Sequence, residues 1–299
     1  MSTKESTYSS TWQAALLLLP TIVVLVAFLY YPSVETIRLS LYNTGVLGLH
    51  KTFVGLDNFA TLLTSPEYRH SIAVTALFAV AVVVGTLTVS LFVATLLYEV
   101  TTGQAAYLVA AIWPYALPPA VAGTILLFLF HPTLGVITYF LHDLFGITLD
   151  WFTNGTLALV IVAIAAIWKQ LGYNIIFILA ALNNVPETLN EAAKLDGVSR
   201  FQLVTRVYIP LISPTLLFLV VMDTIYAFFS TFSLVDLMTH SGPNGATNFL
   251  IFKLYRDAFE FSNLGLASAE SVILFGIVGV LTYAQLRLSD RYVQYGGNS

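Results

Sequence analysis

The sequence predicts an all-α, polytopic membrane protein with six transmembrane helices. Of its 299 residues, 58% are hydrophobic and only 9% are charged, and the mean hydropathy is +0.83. Soluble domains carry about 25% charged residues, because a polar shell must cover their core. This composition cannot supply such a shell, which argues against a soluble enzyme.

Six apolar runs are each long enough to cross about 30 Å of hydrocarbon. They lie near residues 12–32, 70–98, 106–130, 156–182, 212–236 and 263–287. An even number of spans places both termini on one side of the membrane. The six runs form one predicted membrane domain over residues 12–287, with residues 1–11 and 288–299 as its terminal tails. Lysines and arginines divide almost equally between the two sides, which leaves the orientation open.

Charge and residue usage exclude further classes of protein. The net charge of -4, without a cluster of cations, excludes a nucleic-acid-binding protein. The absence of cysteine removes thiolate nucleophiles and Cys-type metal sites. No metal site is expected from His131, His142 and His240, which lack ligand spacing. An intramembrane enzyme is disfavoured, because Ser, His and Asp form no catalytic grouping.

Prolines interrupt the third run at Pro114, Pro118 and Pro119. A proline removes a backbone hydrogen bond, and in lipid the freed groups must be satisfied by neighbouring helices or by water. Two interpretations remain open from the residues alone. One is a kink that serves only packing, and the other is a break that lines a pathway.

Between the fourth and fifth runs, residues 183–214 are predicted to form two short helices joined at a glycine. Pro186 suits the first turn of the first helix, which is expected to end at Gly197. Ser199 and Gln202 have the spacing of a capping box at the start of the second helix. The apolar stripe of that second helix consists of Phe201, Val204 and Tyr208.

Three features of this segment occur at a distinctive spacing: Glu191-Ala192-Ala193, Gly197, and Ile209-Pro210-Leu211, where Pro210 is expected to end the second helix. With this pattern between two membrane spans, residues 183–211 resemble the EAA loop of binding-protein-dependent ABC importer permeases. In that family the loop is a coupling helix seated in a cleft of a cytoplasmic ATPase. The resemblance implies a type I ABC importer permease fold in the cell membrane, with both termini in the cytoplasm.

The resemblance also assigns residues to ATPase coupling: Glu191, Ala192, Ala193, Asp196, Gly197 and Pro210. A glutamate offers a carboxylate to an arginine or lysine on the ATPase, and the alanines permit close approach. The chain has no G-x-x-x-x-G-K-[ST] phosphate loop. It is therefore not expected to be an enzyme or to hold a cofactor, and ATP and Mg²⁺ are expected in the partner ATPase.

Further segments look like the carbohydrate-type (MalF/UgpA-like) permeases of this family: Phe53 to Phe59, Pro114-Tyr115-Ala116, Trp168-Lys169-Gln170 and Tyr226-Ala227-Phe228-Phe229. Over nearly the whole chain the similarity is greatest to sn-glycerol-3-phosphate permeases. It implies a subunit that carries glycerol-3-phosphate or a related sugar or phosphodiester, while a neutral mono- or oligosaccharide remains the alternative. The implied partners are a second homologous permease (UgpE-like), an ATPase pair and an extracytoplasmic solute-binding protein.

Charged residues inside the predicted spans are Lys169, Asp223 and Glu270. Each costs about 2.5–3.5 kcal/mol if it faces lipid, so each must face protein or water. Lys169 is expected either to attract a phosphate or to pair with Asp223 or Glu270 as an interhelical clamp. For the two carboxylates the clamp is preferred, because they would repel an anionic ligand.

The remaining candidate pathway residues are Tyr173, Asn174, Tyr226 and Ser230, as hydrogen-bond donors to a ligand, and Phe229, as a platform for a sugar face. Membrane charges and broken helices would also fit an ion-coupled secondary transporter. That alternative gives no reason for the EAA-type loop.

Overall fold

The computed structural model describes residues 11–45, 51–189 and 197–292, which are mainly helical. The α-helices are α1 (Thr11–Leu25), α2 (Tyr31–Leu39), α3 (Asp57–Thr64), α4 (Pro66–Glu99), α5 (Gln104–Ala116), α6 (Pro119–Leu129), α7 (Val136–Phe145), α8 (Gly155–Leu182), α9 (Arg200–Leu203), α10 (Ile209–Leu211), α11 (Ser213–Ile225), α12 (Phe232–Met238), α13 (Leu250–Tyr255) and α14 (Leu264–Tyr292). Wider π-helical turns are π1 (Val26–Tyr30), π2 (Val204–Tyr208), π3 (Tyr226–Ser230) and π4 (Arg256–Glu260). Two short strands, β1 (Tyr42–Thr44) and β2 (Lys51–Phe53), form an antiparallel hairpin that the sequence pattern did not predict.

Among the described residues, five helical segments are long and apolar enough to cross a membrane. They are Ala15–Leu39, Pro66–Glu99, Gly155–Leu182, Ser213–Ser230 and Leu264–Leu288. A sixth crossing exists if α5 and α6 form one span, and these two helices meet at a bend of 100°. The predicted third run, residues 106–130, is interrupted at its prolines as expected, because Pro118 and Pro119 redirect the chain there.

The first span also differs from its predicted bounds. The apolar run was expected to end at Pro32, but the helix continues to Leu39. The turn π1 precedes this proline, and α2 carries Pro32 in its first turn, where a missing N–H is tolerated. A proline inside the helical path therefore does not end the span.

Contacts divide the chain into two units. The first comprises the described parts of Met1–Thr64 and Leu254–Ile273. In it, the hydroxyl oxygen of Thr44, at the end of β1, accepts a hydrogen bond of 2.8 Å from the backbone N–H of Gly265 in α14. A side chain at residue 265 would collide with the backbone of Tyr42. Glycine thus lets the start of α14 reach the hairpin.

The second unit comprises the described parts of Ser65–Lys253 and Leu274–Ser299. Within it α4 packs along α8. The buried positions of these helices include many small residues, among them Thr86 and Ser90 in α4 and Ala158, Ala165 and Ala166 in α8. Small side chains let two membrane helices approach closely, which compensates for the weak hydrophobic driving force in lipid.

The helix α5 contacts α8 at Gly172. A Cβ atom at this position would lie 2.8 Å from the carbonyl oxygen of Ile112 and 2.8 Å from Cβ of Tyr115. Both atoms belong to α5, and one of them is rigid backbone. The glycine therefore fixes how near α5 can come to α8.

We predict that Gly172→Val lowers the thermal stability of the protein by the equivalent of about 1–3 kcal/mol, because the larger side chain pushes α5 away from α8. Gly276→Val is the matched control, since a Cβ at this helical glycine meets nothing within 4 Å. Thermal unfolding of the purified protein in detergent measures both. Equal stability of the two variants would contradict the close approach.

Candidate functional site

The break between α5 and α6 leaves a backbone carbonyl without its helical partner. In a continuous helix the oxygen of Tyr115 would accept from the amide of residue 119, but Pro119 has no N–H. Nζ of Lys169, from α8, donates to this oxygen at 2.9 Å. The same ammonium lies 5.0 Å from the centroid of the Tyr115 ring. A cation at the C-terminal end of a helix also interacts favourably with the helix dipole.

A cavity of about 260 Å³ lies beside this break. Its polar wall consists of Lys169, Gln170, Tyr173, Tyr226 and Ser230. The broken span contributes Tyr115 and Pro119, and Met222 and Ile225 complete the lining. All of these residues belong to the second unit. Lysine is the one charged side chain in this lining, so the cavity has a cationic wall.

Four of the six predicted pathway residues line the cavity: Lys169, Tyr173, Tyr226 and Ser230. Asn174 and Phe229 are not part of the lining. Asn174 is fully buried behind it, and Phe229 is half-buried elsewhere on π3.

Two polar lining residues were missed as site residues, namely Tyr115 and Gln170. Each stands beside a feature that the sequence did reveal. Tyr115 immediately precedes the proline break, and Gln170 follows the intramembrane lysine and lies three residues before Tyr173, on the same helical face.

The hydroxyl group of Tyr226 is already engaged. It donates a 3.1 Å hydrogen bond to the carbonyl oxygen of Ala166 in α8. That Tyr226 donates to a ligand stays a prediction, and in this structure its one hydroxyl proton is directed at Ala166 instead. Its role visible in the structure is to tie π3 to α8.

The buried carboxylate of Asp223 is held by two amides. Oδ2 accepts from Nδ2 of Asn174 at 2.6 Å, and Oδ1 accepts from Nε2 of Gln170 at 3.2 Å. Asp223 forms no ion pair with Lys169 in the described part of the chain, since the lysine bonds to Tyr115 instead. The clamp expected between these two charges is thus replaced by separate partners. Glu270 is also buried, at 1% exposure.

The segment expected to couple to an ATPase is described in part. Glu191, Ala192, Ala193 and Asp196 lie outside the described residues. Gly197 has φ +68°, the left-handed conformation that favours glycine, and a Cβ there would meet nothing within 4 Å.

The predicted capping box at the start of α9 is confirmed. The hydroxyl oxygen of Ser199 accepts from the N–H of Gln202 at 3.3 Å, and the side-chain oxygen of Gln202 accepts from the N–H of Ser199 at 3.1 Å. The helical path continues through π2 and α10 to Leu211. It does not end at Pro210, because the proline lies in the first turn of α10.

This helical path is anchored at one end and exposed at the other. Tyr208 is 3% exposed and meets the ring of Tyr98 at 5.8 Å, within a core cluster from α4, α8 and α11. A guanidinium nitrogen of Arg200 lies 3.2 Å from a carboxylate oxygen of Glu99, the last residue of α4. Phe201, expected to belong to the same apolar stripe as Tyr208, is 77% exposed.

Comparisons with known proteins agree on a family. The family described as "Binding-protein-dependent transport system inner membrane component" matches residues 86–294. The chain is 42% identical to the sn-glycerol-3-phosphate transport system permease protein UgpA of Brucella abortus biovar 1 (strain 9-941), over 93% of this chain and 95% of that protein. It is 38% identical to the UgpA protein of Escherichia coli (strain UTI89 / UPEC), over 99% of this chain and 100% of that one.

Solved structures share the fold. A chain of a bacterial alginate ABC transporter, in complex with an alginate pentasaccharide-bound periplasmic protein, superposes with a TM-score of 0.83 at 22% identity, over 96% of both chains. A chain of a bacterial ABC transporter involved in the import of the acidic polysaccharide alginate gives a TM-score of 0.81, also at 22% identity, over 95% of this chain and 96% of that one. The fold is therefore the type I permease fold.

We predict that Tyr226→Phe lowers stability by about 0.5–1.5 kcal/mol, because it removes a single interhelical hydrogen bond. Ser230→Ala, which removes an exposed hydroxyl on the same π-helical turn, should leave stability unchanged. Thermal unfolding of both variants in detergent measures the difference. A Tyr226→Phe protein as stable as the unmodified chain would refute the bond to Ala166.

Proposed function

The chain belongs to the family of binding-protein-dependent transport system inner membrane components, and we propose that this ABC importer permease moves glycerol-3-phosphate or a related sugar or phosphodiester inward. It is a multi-pass membrane subunit and not an enzyme. Support for the cargo comes from relatives named as sn-glycerol-3-phosphate permeases, which are 38–42% identical over nearly their whole length.

The observation that carries the proposal is the cationic cavity at the break in the third span. A phosphate monoester is an anion, and a lysine ammonium binds it by charge-assisted hydrogen bonds. The volume, about 260 Å³, is near the lower end of small-molecule sites, which begin at about 300 Å³. A compact phosphorylated polyol fits these dimensions and this charge.

A neutral sugar is the second candidate, favoured by the aromatic part of the same lining. The rings of Tyr115 and Tyr173 lie 5.5 Å apart, tilted by 46°, and both side chains line the cavity. Aromatic faces can pack against the apolar face of a sugar. The effect of removing the lysine charge distinguishes the two cargoes, because a neutral sugar does not depend on it.

We further propose that residues 183–211 couple the chain to a cytoplasmic ATPase pair, which binds ATP and Mg²⁺, and that both termini lie in the cytoplasm. The exposed ring of Phe201 offers an apolar surface to such a partner. The buried ring of Tyr208 would transmit a displacement of the segment to α4 and α8, against which it packs. Glu191 and Asp196 are proposed contacts from the sequence resemblance.

The remaining partners follow from the same assignment. A second, homologous permease of the UgpE type would supply the other half of the pathway, and an extracytoplasmic solute-binding protein would deliver the cargo. The solved alginate transporter is in complex with a ligand-bound periplasmic protein, which supports this arrangement.

We predict that Lys169→Gln lowers glycerol-3-phosphate uptake roughly tenfold or more, because hydrogen bonds to charged groups contribute about 1.5–3 kcal/mol. Glutamine keeps an N–H donor for the Tyr115 carbonyl, so the break can remain satisfied. Uptake by the assembled importer in proteoliposomes measures the effect. Lys51→Gln, the same change on an exposed strand position, is the control.

Unchanged glycerol-3-phosphate uptake in an intact Lys169→Gln complex would discard the phosphate-binding role. The neutral sugar replaces the phosphate ester as the proposed cargo if two results are found together. The unmodified importer transports a neutral sugar but no phosphate ester, and the Lys169→Gln variant still transports that sugar.

We predict that Gly197→Asp separates ATP hydrolysis from uptake, because a side chain strains the left-handed turn of the coupling segment. The matched control is Gly146→Asp: Gly146 has φ +67° and equally empty surroundings, but it follows α7. Glu191→Arg should act like Gly197→Asp by reversing a contact charge. Normal ATP-driven uptake in both coupling variants would count against the assignment.

A further inference from the structure

The buried carboxylate of Asp223 lies next to the cavity but does not line it. Its hydrogen bonds within residues 11–45, 51–189 and 197–292 come from two carboxamides, those of Gln170 and Asn174. An ionised carboxylate only accepts hydrogen bonds. Each carboxamide must therefore turn its nitrogen towards Asp223.

The consequence differs for the two amides. Asn174 is completely buried, and its Oδ1 is enclosed without a hydrogen-bond partner among the residues that the structure describes. Gln170, one helical turn before it, lines the cavity. Its Oε1 accepts no hydrogen bond from the described residues and is not among the enclosed atoms. With the nitrogen held by Asp223, the oxygen is the polar atom of this cavity-lining side chain that has no partner among the described residues.

We propose that Gln170 is a specificity-determining residue whose carbonyl oxygen accepts a hydrogen bond from a ligand hydroxyl, and that Asp223 is the positioning residue that fixes its orientation. This inference rests on the proposed function, because it describes the second half of the same cargo. Lys169 attracts the phosphate, and the side-chain oxygen of Gln170 accepts a hydrogen bond from a hydroxyl group of the polyol.

The arrangement gives a reason why Asp223 itself does not line the cavity and accept the hydrogen bond from the ligand hydroxyl. A carboxylate in the lining would repel the phosphate, whereas a neutral amide offers an acceptor without net charge. Asn174 holds the second oxygen of Asp223 at 2.6 Å. The carboxylate is thereby fixed from both sides, and its other oxygen remains directed at Gln170.

The test compares two ligands of the same charge. Glycerol-3-phosphate carries hydroxyl groups, and propyl phosphate keeps the phosphate without them. Equilibrium binding of each to the assembled importer in nanodiscs, without the binding protein, gives a selectivity ratio that belongs to the membrane subunits. Gln170→Met removes the acceptor at similar length, and Asp223→Asn removes the constraint that orients it.

We expect the preference for glycerol-3-phosphate to fall about two- to tenfold in Gln170→Met, as for loss of one neutral hydrogen bond. A smaller fall is expected in Asp223→Asn, where either orientation of the glutamine amide is allowed. Gln285→Met is the control: this glutamine donates to Thr224 at 2.9 Å and does not line the cavity, so the ratio should not change.

A wild-type ratio in Gln170→Met would overturn the inference, and it does so whether or not Asp223→Asn assembles. Uptake of glycerol-3-phosphate by the unmodified importer would then still support the cargo. Absence of that uptake would instead refute the proposed function, and the hydroxyl-reading role would fall with it.

Discussion

The candidate site depends on one hydrogen bond, from the ammonium of Lys169 to the carbonyl oxygen of Tyr115. In hydrocarbon there is no water to satisfy a freed backbone group, and each unsatisfied group costs several kcal/mol. Pro119 creates such a group in the middle of an apolar run, and the lysine of α8 satisfies it. The charge in turn is tolerated in the membrane because it has a partner. The broken helix and the intramembrane lysine therefore stabilise each other.

The polar interior around this bond keeps its charges apart. Lys169 lines the cavity, while Asp223 is set behind two carboxamides of the same helix that carries the lysine. Direct contact would have neutralised both charges and left the cavity without a cationic wall. Amide donors stabilise the carboxylate without cancelling the field of the ammonium. Both charged side chains are therefore buried with separate partners instead of forming an ion pair with each other.

The sequence predicted the features that local rules determine. Run length and hydropathy predicted the spans, the Ser199 to Gln202 spacing predicted a capping box, and the EAA-type segment predicted the family that the comparisons confirm. The 100° bend was not predictable, because prolines indicate where a hydrogen bond is lost but not where the chain turns next. That direction depends on contacts with distant parts of the chain, such as those of Gly123 in α6 with Ser233 and Leu237.

Long-range pairing explains the other differences. Hydropathy required that Lys169 face protein or water, but its partner lies 54 residues earlier in the chain. Asn174 was placed in the pathway by residue type, although helical geometry turns it to Asp223. The hairpin was missed because strands of three residues carry no usable alternation.

The shared use of one ammonium bears on how long a cargo remains at the site. If Lys169 binds the cargo as proposed, an arriving phosphate has to compete with the Tyr115 carbonyl oxygen for the same ammonium, so part of the attraction is cancelled on entry. When the cargo leaves, the helix end takes the cation back, and departure is assisted by the same amount. Such competition would be of no use to a protein that only binds its ligand. It suits a transport pathway, because fast release of the cargo matters there more than high affinity. The carbonyl oxygen at the broken helix end would thereby limit the residence time of the cargo.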